Sequence, residues 1–233
     1  MFRRINFFFW LISILASMAA LYWLIMLDDQ REEIEQITMR RVQGLVLADE
    51  LRQSSDDLTR FARAYAATGD TAYKERFQAV LDIRDGRAKR PLGYEYAYWD
   101  LKIVGGLENV EQGETKSIGL RLREAGFQSD SAYTLHIAQE QSDVLAKIEG
   151  DAFRLIDDGH ADEALKLLYS NNYHRAKADI MEGIREFQQS MARRTADKLD
   201  EILKKAGQIN TVIVGLMLSS LLFSLLAGTR KWF

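Results

Sequence analysis

Residues 5–27, INFFFWLISILASMAALYWLIML, and residues 206–229, AGQINTVIVGLMLSSLLFSLLAGT, contain no charged side chain. A helix needs about 20 apolar residues to cross the hydrocarbon of a bilayer, so each run is long enough to span one. All 34 acidic residues lie between the runs, in 28–208. Arg3, Arg4, Arg230 and Lys231 stand outside, which leaves the middle with 27 basic against 34 acidic residues, a net charge of −7. A cleaved leader is the competing reading of the first run, with MFRR as its basic start. The apolar sequence continues past Ala20 through LYWLIML, which suits an anchor better. A buried core helix is the competing reading of the second, but its length and the basic stop at Arg230-Lys231 fit a span. Basic residues flank the two outer ends and Asp28-Asp29 follows the first run directly. Lys204 and Lys205 weaken this asymmetry without reversing it. The positive-inside rule then predicts both termini in the cytoplasm and 28–208 outside.

Composition narrows the chemistry. The chain has 233 residues with 47% hydrophobic side chains, too apolar for general disorder. It has no cysteine, so a disulfide framework, a thiolate metal site and a cysteine nucleophile are all excluded. His136, His160 and His174 are its only histidines, little material for a metal centre. A net charge of −3 argues against nucleic acid as a partner. Gly105-Gly106 lacks the lysine context of a phosphate loop. Asp56-Asp57 has no histidine nearby in sequence and reads as solvated charge, with Asp56 and Arg60 an i,i+4 pair. No catalytic residue, metal ligand or cofactor is expected.

The middle reads as helix almost throughout. Leu47, Leu51, Ser54/Ser55, Leu58, Phe61/Ala62 and Tyr65 recur in steps of three and four, and neither Pro nor Gly interrupts 45–68. This predicts a first helix continuing from the membrane to Thr68, ended by Gly69. Asp70 caps a second, with Tyr73, Phe77, Leu81 and Arg84 on one face and Gly86 closing it. A loop follows with the single proline, Pro91. Short helices are expected at 94–101 and 117–125, with a loop over 103–116 between them. A long helix is expected from Ser129 or Asp130 to about Asp158, a short one over ADEALKLLYS, and a last one from Asn172. That last helix carries the stripe Tyr173, Ala176, Ile180, Ile184, Phe187, Met191, Thr195, Ile202 into the second span. The expected fold is all-α: an elongated antiparallel four-helix bundle over 28–208, flanked by transmembrane helices at 1–27 and 209–229, with a cytoplasmic stub at 230–233.

LRQSSDDLTRFARAYAATGDTAYKERFQAVLDIRDGRAKRP (51–91), YWDL (98–101), REAGF (123–127) and YHRAKADIM (173–181) resemble, in this order, the input domain of a family of bacterial membrane receptors. The resemblance covers nearly all of 28–208. It implies an all-helical sensory domain in the periplasm, held between two spans of the inner membrane, working as a homodimer. In that family the outputs are methyl-accepting chemotaxis domains, histidine kinases or diguanylate cyclases. Family receptors continue after the second span, whereas this sequence stops at Phe233. A truncated receptor, or a sensor that signals through a separate cytoplasmic output protein, is expected. The resemblance names no ligand. A two-span accessory subunit that docks another membrane protein is the alternative reading.

Polar residues interrupt the apolar stripes. With Leu58 at zero, Leu51 falls at about +20°, Ser54 at about −40°, Ser55 at about +60° and Tyr65 at about −20°. With Leu145 at zero, Gln141 lies at about −40° and Ser142 at about +60°. Counted along the helices, Arg84 stands roughly 42 Å and Ser54 roughly 39 Å above Asp28, and Tyr65 and Tyr173 are level higher up. Arg84, Ser54 and Ser55, with Lys177, Tyr65 and Tyr173 above, are therefore the expected lining of a pocket for a small anionic ligand; a periplasmic binding protein is the alternative partner. The plainer readings are that Arg84 complements its helix dipole or an acidic partner and that the serines bond their own backbone. Trp99 with Tyr94, Tyr96 and Tyr98 reads as hydrophobic packing in preference to an aromatic cage.

Overall fold

The computed structural model describes residues 2–107, 109–127 and 130–229, all-α apart from one isolated bridge between Pro91 and Gln112. The expected helix start at Ser129 and the stub at 230–233 fall outside them. Seven helices follow in order: α1 Phe2–Thr68, α2 Thr71–Arg84, α3 Tyr98–Ile103, α4 Ile118–Glu124, α5 Asp130–Asp157, α6 Ala161–Leu168 and α7 Asn171–Thr229. The chain divides into two compact units, residues 40–193 and the two terminal segments 1–39 and 194–233.

Helix ends follow the local chemistry. Gly69 stops α1 with φ +69°, a left-handed turn that glycine enters without a Cβ penalty. The Asp70 side chain accepts a hydrogen bond from the Ala72 amide at 2.9 Å and caps α2. Gly86, at φ +72°, turns the chain away after α2. Ser117 caps α4 by accepting from the Leu120 amide. The helix expected over 94–101 is displaced: α3 starts only at Tyr98, because Ala97 sits in the left-handed region at φ 51° and breaks the helical path before it.

In residues 40–193 the core joins Leu51, Leu58, Phe61, Ala62 and Tyr65 of α1 to Phe77 and Val80 of α2, Leu135, Leu145 and Phe153 of α5, and Ile180, Ile184 and Phe187 of α7. Phe153 receives Tyr65 and Phe77 edge-on at 5.2 and 4.8 Å. Gly183 of α7 lies against α5 so closely that a Cβ there would stand 3.0 Å from the Thr134 carbonyl oxygen. Tyr94, Tyr98 and Trp99 are buried, Trp99 donates to the Tyr94 hydroxyl at 2.9 Å and packs edge-on to Phe61, and Tyr96 is exposed. Of the aromatic group, Tyr94, Tyr98 and Trp99 pack and Tyr96 does not.

In the terminal unit the apolar windows of α1 and α7 are long and apolar enough to cross a membrane, with only 11% and 6% of each window buried inside the protein. A core helix would be mostly covered, so that reading of the second run does not fit. Ser13 bridges the pair, 2.8 Å from Ser224 Oγ and 3.1 Å from Ser220 Oγ.

Two glycines with nearly equal φ separate backbone strain from crowding. A Cβ at Gly86 would lie 2.4 Å from the Ser117 nitrogen, whereas one at Gly69 meets nothing within 4 Å. Gly69→Ala should cost about 1–2 kcal/mol, the left-handed penalty alone. Gly86→Ala should cost more than that, since backbone must also move. Denaturant unfolding followed by far-UV circular dichroism checks both, and equal losses would contradict the close approach of the 86 and 117 backbones.

Candidate functional site

α1 brings four polar side chains into the core of residues 40–193: Glu50, Ser54, Ser55 and Asp57 are all buried. α5 adds Ser142 and Glu149, and α2 adds Arg84. The six residues expected to line one pocket divide among separate groups. Arg84 reaches α5, donating from Nη1 to Ser142 Oγ at 2.9 Å and from Nη2 to Asp143 Oδ1 at 2.6 Å. It is an ion-pair partner, with Asp85 Oδ1 at 3.6 Å from Nε. Ser54 donates to the Leu51 carbonyl of its own helix at 2.9 Å. Tyr65 donates to Asp157 Oδ1 at 2.6 Å, and Lys74 pairs with the other oxygen of that carboxylate. Among these six, only Ser55 and Lys177 meet through a hydrogen bond, Nζ to Oγ at 2.8 Å.

Lys177 also pairs with Asp56 at 2.9 Å. Asp56 takes Arg52 as its helical partner and Asp57 takes Arg60, so the expected Asp56–Arg60 pair does not form. Asp57 is not a solvated charge either: only 6% of the residue is exposed. Tyr173 donates to Glu149 Oε1 at 2.5 Å, and its hydroxyl oxygen also lies 2.8 Å from Thr59 Oγ1. Glu149, Tyr173 and Thr59 thus form a hydrogen-bonded set across α5, α7 and α1.

Glu149 was not among the residues expected at the site. On the wheel that places Leu145 at zero it falls at about +40°, well inside the buried stripe, so the signal was present in the helical period. Its environment is dry. Burial pushes its carboxyl up to about 7, opposed by the Tyr173 and Thr59 hydroxyls and by the positive charges of Lys177 and Arg84. Burial likewise lowers Lys177, with Asp56 opposing, and raises Asp143, with Arg84 opposing.

Glu50 was also unforeseen. Its carboxylate accepts Arg90 Nε and Nη2, both at 3.0 Å, and Arg121 Nη1 at 2.7 Å to each oxygen. Arg90 goes on to Glu95 at 2.6 Å. This network ties the loop after α2 and helix α4 to α1. Its partners lie 40 and 71 residues from Glu50, and no local pattern announces them. Among the described residues, no group of three His, Asp or Glu side chains is placed to hold a metal ion.

The protonation of Glu149 gives a stability signature. Unfolded, the group loses its proton near 4.5; folded, it keeps it to about 7. The folded state therefore binds more protons in this window, and stability falls as pH rises through it. Asp57, raised by burial from 3.8 to about 6, adds a slope of the same sign at lower pH. Glu149→Gln should flatten the decline between pH 5 and pH 7.5 and stabilise the protein at pH 8 by about 1–3 kcal/mol. Denaturant melts of both forms at pH 5 and pH 8 measure this, and identical pH slopes would show that Glu149 is ionised in the folded protein.

No family model matches this chain, and no curated protein or solved structure does either.

Proposed function

We propose that the chain is a membrane-anchored sensor. Two spans hold it in a bacterial inner membrane with both termini in the cytoplasm. The acidic region 28–208 stands in the periplasm as an antiparallel four-helix bundle and works as a homodimer. A ligand or partner favours one packing of the bundle, and the change reaches a cytoplasmic output protein through the helices. The alternative function of this resting fold, docking as an accessory subunit, would need no such transmission.

The observation that carries the reading is helix continuity. α1 runs unbroken from Phe2 to Thr68, and α7 from Asn171 to Thr229. α1 holds one apolar window and Glu50, Ser54, Ser55 and Asp57; α7 holds the other window and Tyr173 and Lys177. A change in the polar core displaces the same two helices that enter the membrane. Buried hydrogen-bonded sets of this kind favour a few discrete arrangements over gradual deformation. Met39 and Val42 of α1 are exposed apolar residues on the same helix, available to a second copy.

Topology and transmission are tested together. A cysteine replacing the exposed Val104 should react with an impermeant thiol reagent in intact cells; protection until lysis reverses the orientation. Single cysteines along 30–45 should crosslink between copies with a period of about 3.5–3.6 residues. Glu149→Gln should change the crosslinking rates of that series by severalfold. A periodic pattern that no core variant alters would contradict transmission, and a flat, unreactive series would contradict the homodimer.

A further inference from the structure

α1, α5 and α7 meet at two polar rungs in the core of residues 40–193. At the first, the Tyr173 hydroxyl of α7 lies 2.5 Å from Glu149 Oε1 of α5 and 2.8 Å from Thr59 Oγ1 of α1. At the second, Lys177 Nζ of α7 donates to Ser55 Oγ of α1 at 2.8 Å and pairs with Asp56 Oδ1 at 2.9 Å. The rungs stand one turn apart on both helices, because Tyr173 to Lys177 and Thr59 to Ser55 are each a step of four residues, about 6 Å of rise.

The two rungs are unequally supplied with charge. Glu149 and Tyr173 are each 1% exposed, and Glu149 Oε1 is held by the hydroxyls of Tyr173 and Thr59. A carboxylate ion in that place would have no direct cation, which favours the neutral acid. Burial pushes its titration in the same direction, up to about 7. The second rung has a cation to spare. Asp56 keeps Arg52 at 2.9 Å on its other oxygen, so it can release Lys177 and remain paired. The Lys177 ammonium rides on a flexible four-carbon stem. The other cations that face this cluster are anchored. Arg84 of α2 is held by Ser142 and Asp143 of α5. Arg63 of α1 donates to the Leu168 carbonyl at 2.9 Å and lies over the Tyr169 and Tyr173 rings.

We propose that Glu149 and Lys177 form a proton-operated switch: while Glu149 is protonated Lys177 stays on Asp56 and Ser55, and when the proton leaves to water the ammonium moves one turn to the carboxylate. Arg52 alone then serves Asp56, and net charge changes by the one proton released. The exchange replaces a contact between α7 and α1 with one between α7 and α5, and so acts on both helices that carry an apolar window. It makes the proton concentration on the outer side of the membrane the input of the proposed sensor. That signalling role rests on the sensor reading; the switch itself does not.

The test uses the full chain in nanodiscs. Infrared difference spectra between pH 5 and pH 8.5 should show a protonated-carboxyl band that is lost near neutral pH and is absent from Glu149→Gln. Should that variant fail to fold, Glu149→Asp shifts the band and assigns it instead. Lys177→Met should raise the midpoint by about 1–3 pH units, because the ionised form loses its cation, and Lys177→Arg should bring it back. With nitrogen-15-labelled lysine, the Lys177 ammonium signal, identified by its loss in Lys177→Met, should move with pH at the same midpoint and stay fixed in Glu149→Gln. The switch is overturned by a Glu149 carboxyl that does not titrate in this range, by a midpoint indifferent to Lys177→Met, or by a Lys177 signal independent of pH. Crosslinking of the 30–45 cysteine series separates the two claims. The ratio of wild type to Glu149→Gln, which cancels the pH dependence of thiol chemistry, should be near one at pH 5.5 and differ from one severalfold at pH 8. A switch that titrates while this ratio stays constant contradicts the sensor, whereas a series altered by Glu149→Gln without carboxyl titration contradicts the switch alone.

Discussion

Backbone hydrogen bonding is the constraint on which the rest of this structure depends. A segment without charged side chains can lie in hydrocarbon only if it satisfies its own N–H and C=O groups, and a single segment does so only as a helix. Both uncharged runs are helical, and neither helix ends at the limit of its apolar sequence. α1 passes from Leu27 into Asp28-Asp29 without a break, and Gly44, its one glycine before Gly69, stays helical. α7 likewise carries Gly183, Gly207 and Gly215 in helical geometry. Each of the two helices carries an apolar window long enough to cross a membrane and, further along, residues whose side chains form the core of 40–193.

Most of the helical architecture was legible for this reason. Period, caps and stops are local properties. Asp70, Ser117, Gly69 and Gly86 set helix ends within a residue or two of where the sequence placed them, because each acts on its own turn of backbone. The 94–101 segment was not legible in the same way, because the path there is decided by Ala97 in a left-handed conformation that the residue type does not signal.

The polar core was legible only in part, and the division is physical. Arg84, Ser54, Ser55, Tyr65, Tyr173 and Lys177 were found because helical period reveals which side chains face inward. What each one meets depends on rotation and register between helices, which period leaves open. An error of one turn moves a contact by about 5.4 Å, enough to exchange Ser54 for Ser142 as the partner of Arg84. Glu149 lies on the apolar stripe as well, and the hydroxyls of Tyr173 and Thr59 allow its carboxyl to remain inside.

Three buried carboxylates show how differently the same group can be accommodated. Glu50 is paired with Arg90 and Arg121, which together supply four donor contacts to its two oxygens. Glu149 has hydroxyl partners and no direct cation, and the dry surroundings favour its neutral form. Asp57 falls between these solutions. It is as buried as the others, its one guanidinium is shared with Asp100, and one oxygen has no donor. A second cation would bring it to the condition of Glu50. A proton would bring it to that of Glu149, and burial has already moved it to about 6 in that direction. Desolvation is the larger influence on it, with the Arg60 guanidinium opposing.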